Sequence, residues 1–296
     1  MKIYFPSYYN SFKCIAEKCR HSCCVGWEIA LDGETIEKYE QSGRGDILSH
    51  INDGCITLNK DGRCPFLTDC GLCRIISELG DGFTSAICRE HPRFYHRVGE
   101  CIEGGIGASC EEAARIILTS DGYNSFSEIE KDGVDTPDET NFDTLNERKN
   151  IYSLLSDRSI PYHERISEIC KRYEISENLH TKDEWGEVFS ELELLDESHR
   201  ELISVGRSDS REKYAPYFER FLCYLVFRHA SIASDRDNLR ARLAFSLLLC
   251  KMLENFTASS QPSEEDVIGA AREISEEIEY SEDNTAALIF EFESLL

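Results

Sequence analysis

The sequence predicts a mainly α-helical protein, in which a loop-rich, cysteine-cluster metal domain precedes an all-α helical domain. Three observations predict this. Eleven of the fourteen cysteines fall within residues 1–110, and the other three, Cys170, Cys223 and Cys250, are scattered. The stretch 120–142, SDGYNSFSEIEKDGVDTPDETNF, is rich in Gly, Ser and acidic residues with little apolar periodicity, as a linker or mobile loop would be. Beyond it, apolar residues recur at helical spacing. The implied boundaries are a cysteine-rich domain over 1–122, an acidic linker over 123–142 and a helical domain over 143–296.

In the first half, GWEIALDGETIEKYEQ reads as a short strand followed by a helix starting near Asp32, and CEEAARIILTS as another helix. In the second, TLNERKNIYSLLSD places Leu145, Ile151, Leu154 and Leu155 near helical spacing after the cap residue Asp143. Thr181 and Glu184 form a capping-box pattern, in which side chains satisfy orphan backbone N–H groups. YFERFLCYLVFRHASI and DNLRARLAFSLLLCKMLENF are long and largely apolar, so they belong at the centre of a bundle. SEEDVIGAAREISEEIEY and NTAALIFEFESLL follow as amphipathic helices.

Composition narrows the class. The hydrophobic fraction is 41% and the charged fraction 30%, a globular rather than a disordered balance. The longest apolar run, LAFSLLLCKML, is broken by Ser246 and Lys251 and falls short of a membrane span. Pro6, Ser7 and Asn10 interrupt any leader-like apolar core, so a cytoplasmic location is the expectation. The formal net charge of −24 repels phosphate backbones, which argues against nucleic acid, and attracts basic partners, including lysine side chains.

The cysteines pose the sharpest question. A disulfide framework needs an oxidising compartment. Buried apolar thiols account for Cys170, Cys223 and Cys250 but not for eleven cysteines in 110 residues. Metal ligation remains, since spacings such as Cys19-x3-Cys23 and Cys70-x2-Cys73 let two thiolates reach one centre. Cys23 and Cys24 are adjacent, and relaxed disulfide geometry does not join neighbours. In extended chain their side chains point apart, so they are expected to serve different partners. Spacing alone leaves zinc or iron–sulfur open.

Four blocks, PSYYNSFKCIAEKCRHSCCVGWEIALDGETIEKY (6–39), CPFLTDCGLCRI (64–75), LGDGFTSAICREHPR (79–93) and SCEEAARIIL (109–118), occur in an order that resembles the flagellin lysine-N-methylase family. The resemblance extends more weakly to FLCYLVFRH (221–229). It implies methyl transfer from S-adenosylmethionine to surface lysines of flagellin, with a [4Fe-4S] cluster bound to the enzyme. Eight cysteines match the family pattern and are the implied metal ligands: Cys14, Cys19, Cys23, Cys24, Cys64, Cys73, Cys88 and Cys110. Cys55, Cys70 and Cys101 are additional, and Glu111 stands where the family commonly has proline.

No Gly-rich strand-to-helix turn of the nucleotide-binding type is present; EGGIGAS (103–109) lacks a surrounding βαβ pattern and reads as a turn. Arg89 and Arg93 are the candidates for pairing with the carboxylate of S-adenosylmethionine. Methylation requires a neutral lysine, which an aromatic slot favours and nearby carboxylates oppose. Tyr8, Tyr9 and Trp27 are candidate slot residues, with a plain core or surface role as the alternative; His21 and His91 are candidate ligands on the same footing. The competing function is non-enzymatic: a zinc- or iron–sulfur-binding interaction module whose acidic face holds a basic partner.

Overall fold

The structure is a computed structural model that describes residues 2–27, 29–130, 142–176, 179–206, 212–259 and 261–296. It is mainly α-helical. Much of the acidic stretch expected to be a linker, residues 131–141, lies outside the described residues.

The chain begins with β1 (Lys2–Pro6), then β2 (Ile29–Ala30), α1 (Gly33–Gln41), α2 (Gly45–Leu48), β3 (Ile51–Asn52) and β4 (Cys55–Ile56). Strands β2, β4 and β3 form a small antiparallel sheet. Helix α1 starts where the sequence indicates, because the Asp32 carboxylate accepts the Thr35 backbone N–H at 2.9 Å. The same side chain accepts the Ala86 N–H at 2.9 Å, tying α1 to α4 (Ala86–Glu90), which follows α3 (Arg74–Leu79). These elements share a small core of Ile29, Tyr39, Ile47, Ile56, Phe66 and Ile75, with Cys64 among them.

Next come β5 (Arg93–Val98), β6 (Cys101–Ile106), α5 (Glu111–Thr119) and β7 (Phe126–Glu130). They join β1 in a four-stranded sheet of order β5-β6-β1-β7. Strand β1 runs parallel to β6, with Ile3 opposite Ile102, and antiparallel to β7. Parallel neighbours need a long crossover. Here the whole cysteine-rich stretch, up to the β5–β6 hairpin, lies between them.

The remaining elements are helices: α6 (Thr144–Leu155), α7 (Tyr162–Arg172), α8 (Lys182–Ser190), α9 (Ala215–Arg228), α10 (Arg236–Ser259), α11 (Glu264–Ile274) and α12 (Glu282–Leu295). The capping box at Thr181 and Glu184 opens α8, and Ser263 with Asp266 opens α11 in the same way. A π-helical turn, Ser275–Glu279, continues α11. The apolar runs of α9 and α10 are buried nearly throughout and form the centre of the large core. Helix α5 joins that core through Ala113, Ala114, Ile116, Ile117 and Leu118. Among the described residues no helix is long and apolar enough to cross a membrane.

Several carboxylates are buried inside this frame. Glu103 on β6 receives both Arg148 guanidinium nitrogens at 2.6 Å. Glu219 on α9 receives Arg165 at 2.9 Å and Arg158 at 3.1 Å, and Tyr123 also donates to it. Burial alone would raise both carboxyl pKa values, yet hydrogen bonds from these partners hold each below the ordinary carboxylate range. Such groups stabilise the fold fully above the unfolded carboxyl pKa, about 4.3, and lose that stabilisation as acid approaches the lower folded values. Urea-unfolding midpoints are therefore expected to fall as pH drops below about 6.5, where burial keeps His91 neutral in the fold, and to fall further below about pH 4.5 as these carboxylates protonate. Glu219→Gln, which leaves two guanidinium groups without their anion, is expected to cost about 3–5 kcal/mol at pH 7. A midpoint that rises on acidification contradicts this account.

Candidate functional site

The segment CRHSCC is held against the start of α5 by one residue. The Glu111 carboxylate accepts the backbone N–H groups of Arg20 at 2.7 Å and His21 at 3.2 Å, and pairs with the Arg20 side chain at 3.1 Å. Glu111 thus uses the position where proline was expected to fasten the thiol-bearing loop. Downstream, Gly26 adopts φ +79°, which favours glycine, and its N–H donates to the Gly62 carbonyl at 2.9 Å. That turn sends Trp27 toward the helices.

The structure places the eight expected thiol ligands in several local roles. Cys73 and Cys110 occupy the N-cap positions of α3 and α5. Cys64 lies in the small core, and the Cys19 S–H donates to the His21 carbonyl at 3.2 Å. Cys14, Cys23 and Cys88 are exposed. Cys23 and Cys24 hydrogen-bond to each other, which lowers the Cys24 thiol pKa and raises that of Cys23. Burial, helped by the nearby Cys24, raises the Cys64, Cys73 and Cys88 thiols, and Cys110 and Cys14 add to the rise at Cys23.

Among the described residues no three cysteines bring their sulfurs within 4.8 Å of one another; the set of ligand atoms that does so belongs to His199, Glu276 and Glu277. The expected [4Fe-4S] cofactor and its zinc alternative are corrected on this ground, and with them the cysteine-cluster metal domain. Helix starts, the small core and the exposed surface take up thiols that lie close together along the chain. The His199 set has a structural explanation. Glu277 accepts the Leu195 and Asp196 backbone N–H groups at 2.6 and 3.1 Å and lies 2.7 Å from His199 Nδ1. Arg272 already supplies a cation to Glu276 at 2.5 Å and Glu273 at 3.1 Å.

Arg89 and Arg93, expected to hold the carboxylate of S-adenosylmethionine, lie at opposite ends of the EHP turn. Arg89 donates to the Thr84 carbonyl, and the Arg93 guanidinium lies 5.2 Å from the Phe12 ring and 5.9 Å from the Tyr9 ring. The candidate slot aromatics also separate. Tyr8 is buried in the large core, Tyr9 packs 4.3 Å from Phe5, and Trp27 stands edge-on to Tyr280 at 5.3 Å.

A different convergence appears at Tyr280, directly after the π-helical turn. Trp27 from the CCVGW block and His91 from the EHPR block both meet its ring edge-on, at 5.3 and 6.0 Å. The Arg228 guanidinium, from the FRH end of α9, lies between Tyr280 at 4.9 Å and Phe94 at 4.5 Å. Gly107 of EGGIGAS completes the joint. A Cβ there would lie 2.6 Å from Arg228 Nη1 and 2.7 Å from the Tyr280 hydroxyl. Thus EGGIGAS is mainly strand β6, expected here as a turn, and its glycines admit rings and a guanidinium close to the backbone.

Behind Tyr280 sits Glu279. Its carboxylate receives Ser275 Oγ at 2.7 Å, Arg228 Nη1 at 3.2 Å and His229 Nε2 at 3.0 Å, and the Tyr224 hydroxyl also donates to it. Burial opposes the charged form, but Arg228 and His229 outweigh it and hold the carboxyl at about 2. Burial, then the Arg228 charge, pushes His91 down to about 4, so its ring is neutral at pH 7. The sequence signal for this centre was the Arg228-His229 pair directly after the apolar run FLCYLVF (221–227).

Trp27 and Trp185 are the only tryptophans, so a Trp185→Phe background isolates the ring at this joint. In that background Tyr280→Ala is expected to shift Trp27 emission to the red and to lower stability by about 1–3 kcal/mol. Unchanged emission contradicts the contact.

No protein-family model and no solved structure matches the chain. Curated relatives do. Lysine-N-methylase of Salmonella typhimurium is 30% identical over 136 residues, covering 42% of this chain and 34% of that protein. Lysine-N-methylase of Salmonella choleraesuis matches over the same length with the same identity. The flagellar biosynthetic protein FliU of Salmonella muenchen is 30% identical over 126 residues, covering 38% of this chain and 75% of that protein. The chain thus spans about a third of the length of the lysine-N-methylases it matches. With three quarters of FliU covered at that identity, the chain belongs to the lysine-N-methylase and FliU family.

Proposed function

We propose that this chain is a binding module whose acidic surface receives a basic, lysine-bearing protein partner, flagellin being the partner that family membership suggests. The net charge of −24 carries the reading. Arg148, Arg165 and Arg272 are buried and paired with carboxylates, so part of the basic minority is drawn inside. Runs such as Glu264-Glu265-Asp266 at the start of α11 remain exposed. A surface of this kind speeds and orients encounter with lysine-rich faces, in a salt-sensitive way.

A second reading, N-methylation of the bound lysine, is favoured by the names of the relatives and by the chemistry around Tyr280. A lysine amine is almost wholly protonated at pH 7. Neutral His91 and cationic Arg228, both against the Tyr280 ring, are surroundings that favour an uncharged amine over an ammonium.

Both readings meet in one experiment: calorimetric titration of the full chain with purified flagellin, followed by mass mapping of flagellin after incubation with a methyl donor. Binding is expected to weaken about tenfold or more between 50 and 300 mM salt, approximate working conditions, and to be lost when flagellin lysines are acetylated. No binding at low salt overturns the module. Binding without lysine mass increments leaves the module and removes the methylation reading.

A further inference from the structure

A cleft of about 550 Å³ opens between the start of β7 and the outer face of α6. That volume is in the range of sites for small organic ligands. Its floor is aromatic: Phe126 and Tyr152 stack with ring centroids 6.1 Å apart at 14°. The Tyr152 hydroxyl donates to the Cys223 carbonyl at 2.7 Å, which fixes that ring against α9. One wall is a single helical face, because Lys149, Ser153 and Ser156 follow one another at intervals of four and three residues. Asn124 stands opposite and donates to Ser156 Oγ at 2.9 Å, joining the two walls.

The charge is unusual for this chain. Of its residues 56 are acidic and 32 basic, yet no carboxylate lines the cleft among the described residues. Arg148 is bound by Glu103 at 2.6 Å, so its charge is compensated. Lys149 is exposed, with no carboxylate in ion-pair range among the described residues, and it provides the net positive charge. An aromatic floor beside an exposed ammonium and a hydroxyl suits a flat ring carrying an anionic group.

We propose that this cleft binds a small aromatic anion, with its ring on the Phe126–Tyr152 floor and its phosphate or carboxylate at Lys149 and Ser153. The proposal rests on the cleft alone and is independent of the lysine-directed reading. It is tested by calorimetry on the full chain with adenosine 5′-monophosphate as the phosphate arm and indole-3-acetate as the carboxylate arm. Adenosine and indole serve as their neutral counterparts. At least one anion is expected to bind about tenfold more tightly than its neutral counterpart. Lys149→Glu is expected to weaken that binding at least about tenfold, Lys149→Arg to retain it, and Ser153→Trp to abolish it by filling the cleft. Lys149 and Ser153 are exposed on α6, so thermal melting of the variants should match the parent. The proposal is overturned if neither anion binds at millimolar concentration, if the neutral compounds bind equally, or if Lys149→Glu binds as the parent does.

Discussion

A single buried carboxylate, Glu279, organises the centre of this structure. An isolated carboxylate is costly to bury, and it is tolerated only where donors and cations surround it. Ser275 comes from the start of the π turn that Glu279 ends, Tyr224, Arg228 and His229 from α9 and the residue after it. Tyr224 also accepts the Ala108 backbone N–H at 3.0 Å, so the same network fixes the chain where it leaves β6. The π turn supplies the geometry. It keeps Glu279 facing inward while the next residue, Tyr280, faces the sheet and the cysteine-rich segment. Local widening of this kind is frequent where a helix must present two neighbours to different surroundings.

The sequence blocks that mark the family gain a physical meaning from this network. CCVGW, EHPR and FRH are separated by up to about two hundred residues of chain, yet Trp27, His91 and Arg228 all meet Tyr280, and Gly107 outside those blocks makes room for its hydroxyl. The thiols beside Trp27 belong to the same neighbourhood through Glu111, which fastens their loop to α5, and α5 packs on α9. Among the described residues no three of these thiols bring their sulfurs within 4.8 Å of one another. The joint is made of rings, a guanidinium and a buried carboxylate.

The helical half was legible because local signals and global packing agree there. Asp143 caps α6, Thr181 and Glu184 box α8, and the apolar runs at 221–229 and 243–253 lie in the core. The four-stranded sheet was not legible. Strand β1 ends at Pro6, β6 holds two consecutive glycines, and β5 sets Phe94 beside Tyr95 and His96 beside Arg97 without regular alternation, so none shows a clear buried-strand pattern. Their pairing is also long-range, joining Ile3 to Ile102, which no local signal announces. The cysteines misled for a related reason. Close spacing along a loop limits reach but does not bring three sulfurs together, and Cys73 and Cys110 sit at the N-cap positions of α3 and α5. Glu279 itself looked like one more acidic residue in ISEEIEY; only the packing of α9 reveals that it is buried.

Because the Ala108 N–H reaches Glu279 through Tyr224, amide hydrogen exchange in a Glu279→Gln variant tests this centre directly. If Glu279 holds the joint together, the Ala108 amide and the backbone around Trp27 should both lose protection, while the Ile151 and Leu155 amides of α6 keep theirs. Unchanged protection at Ala108 and around Trp27 would contradict the central role given to this carboxylate.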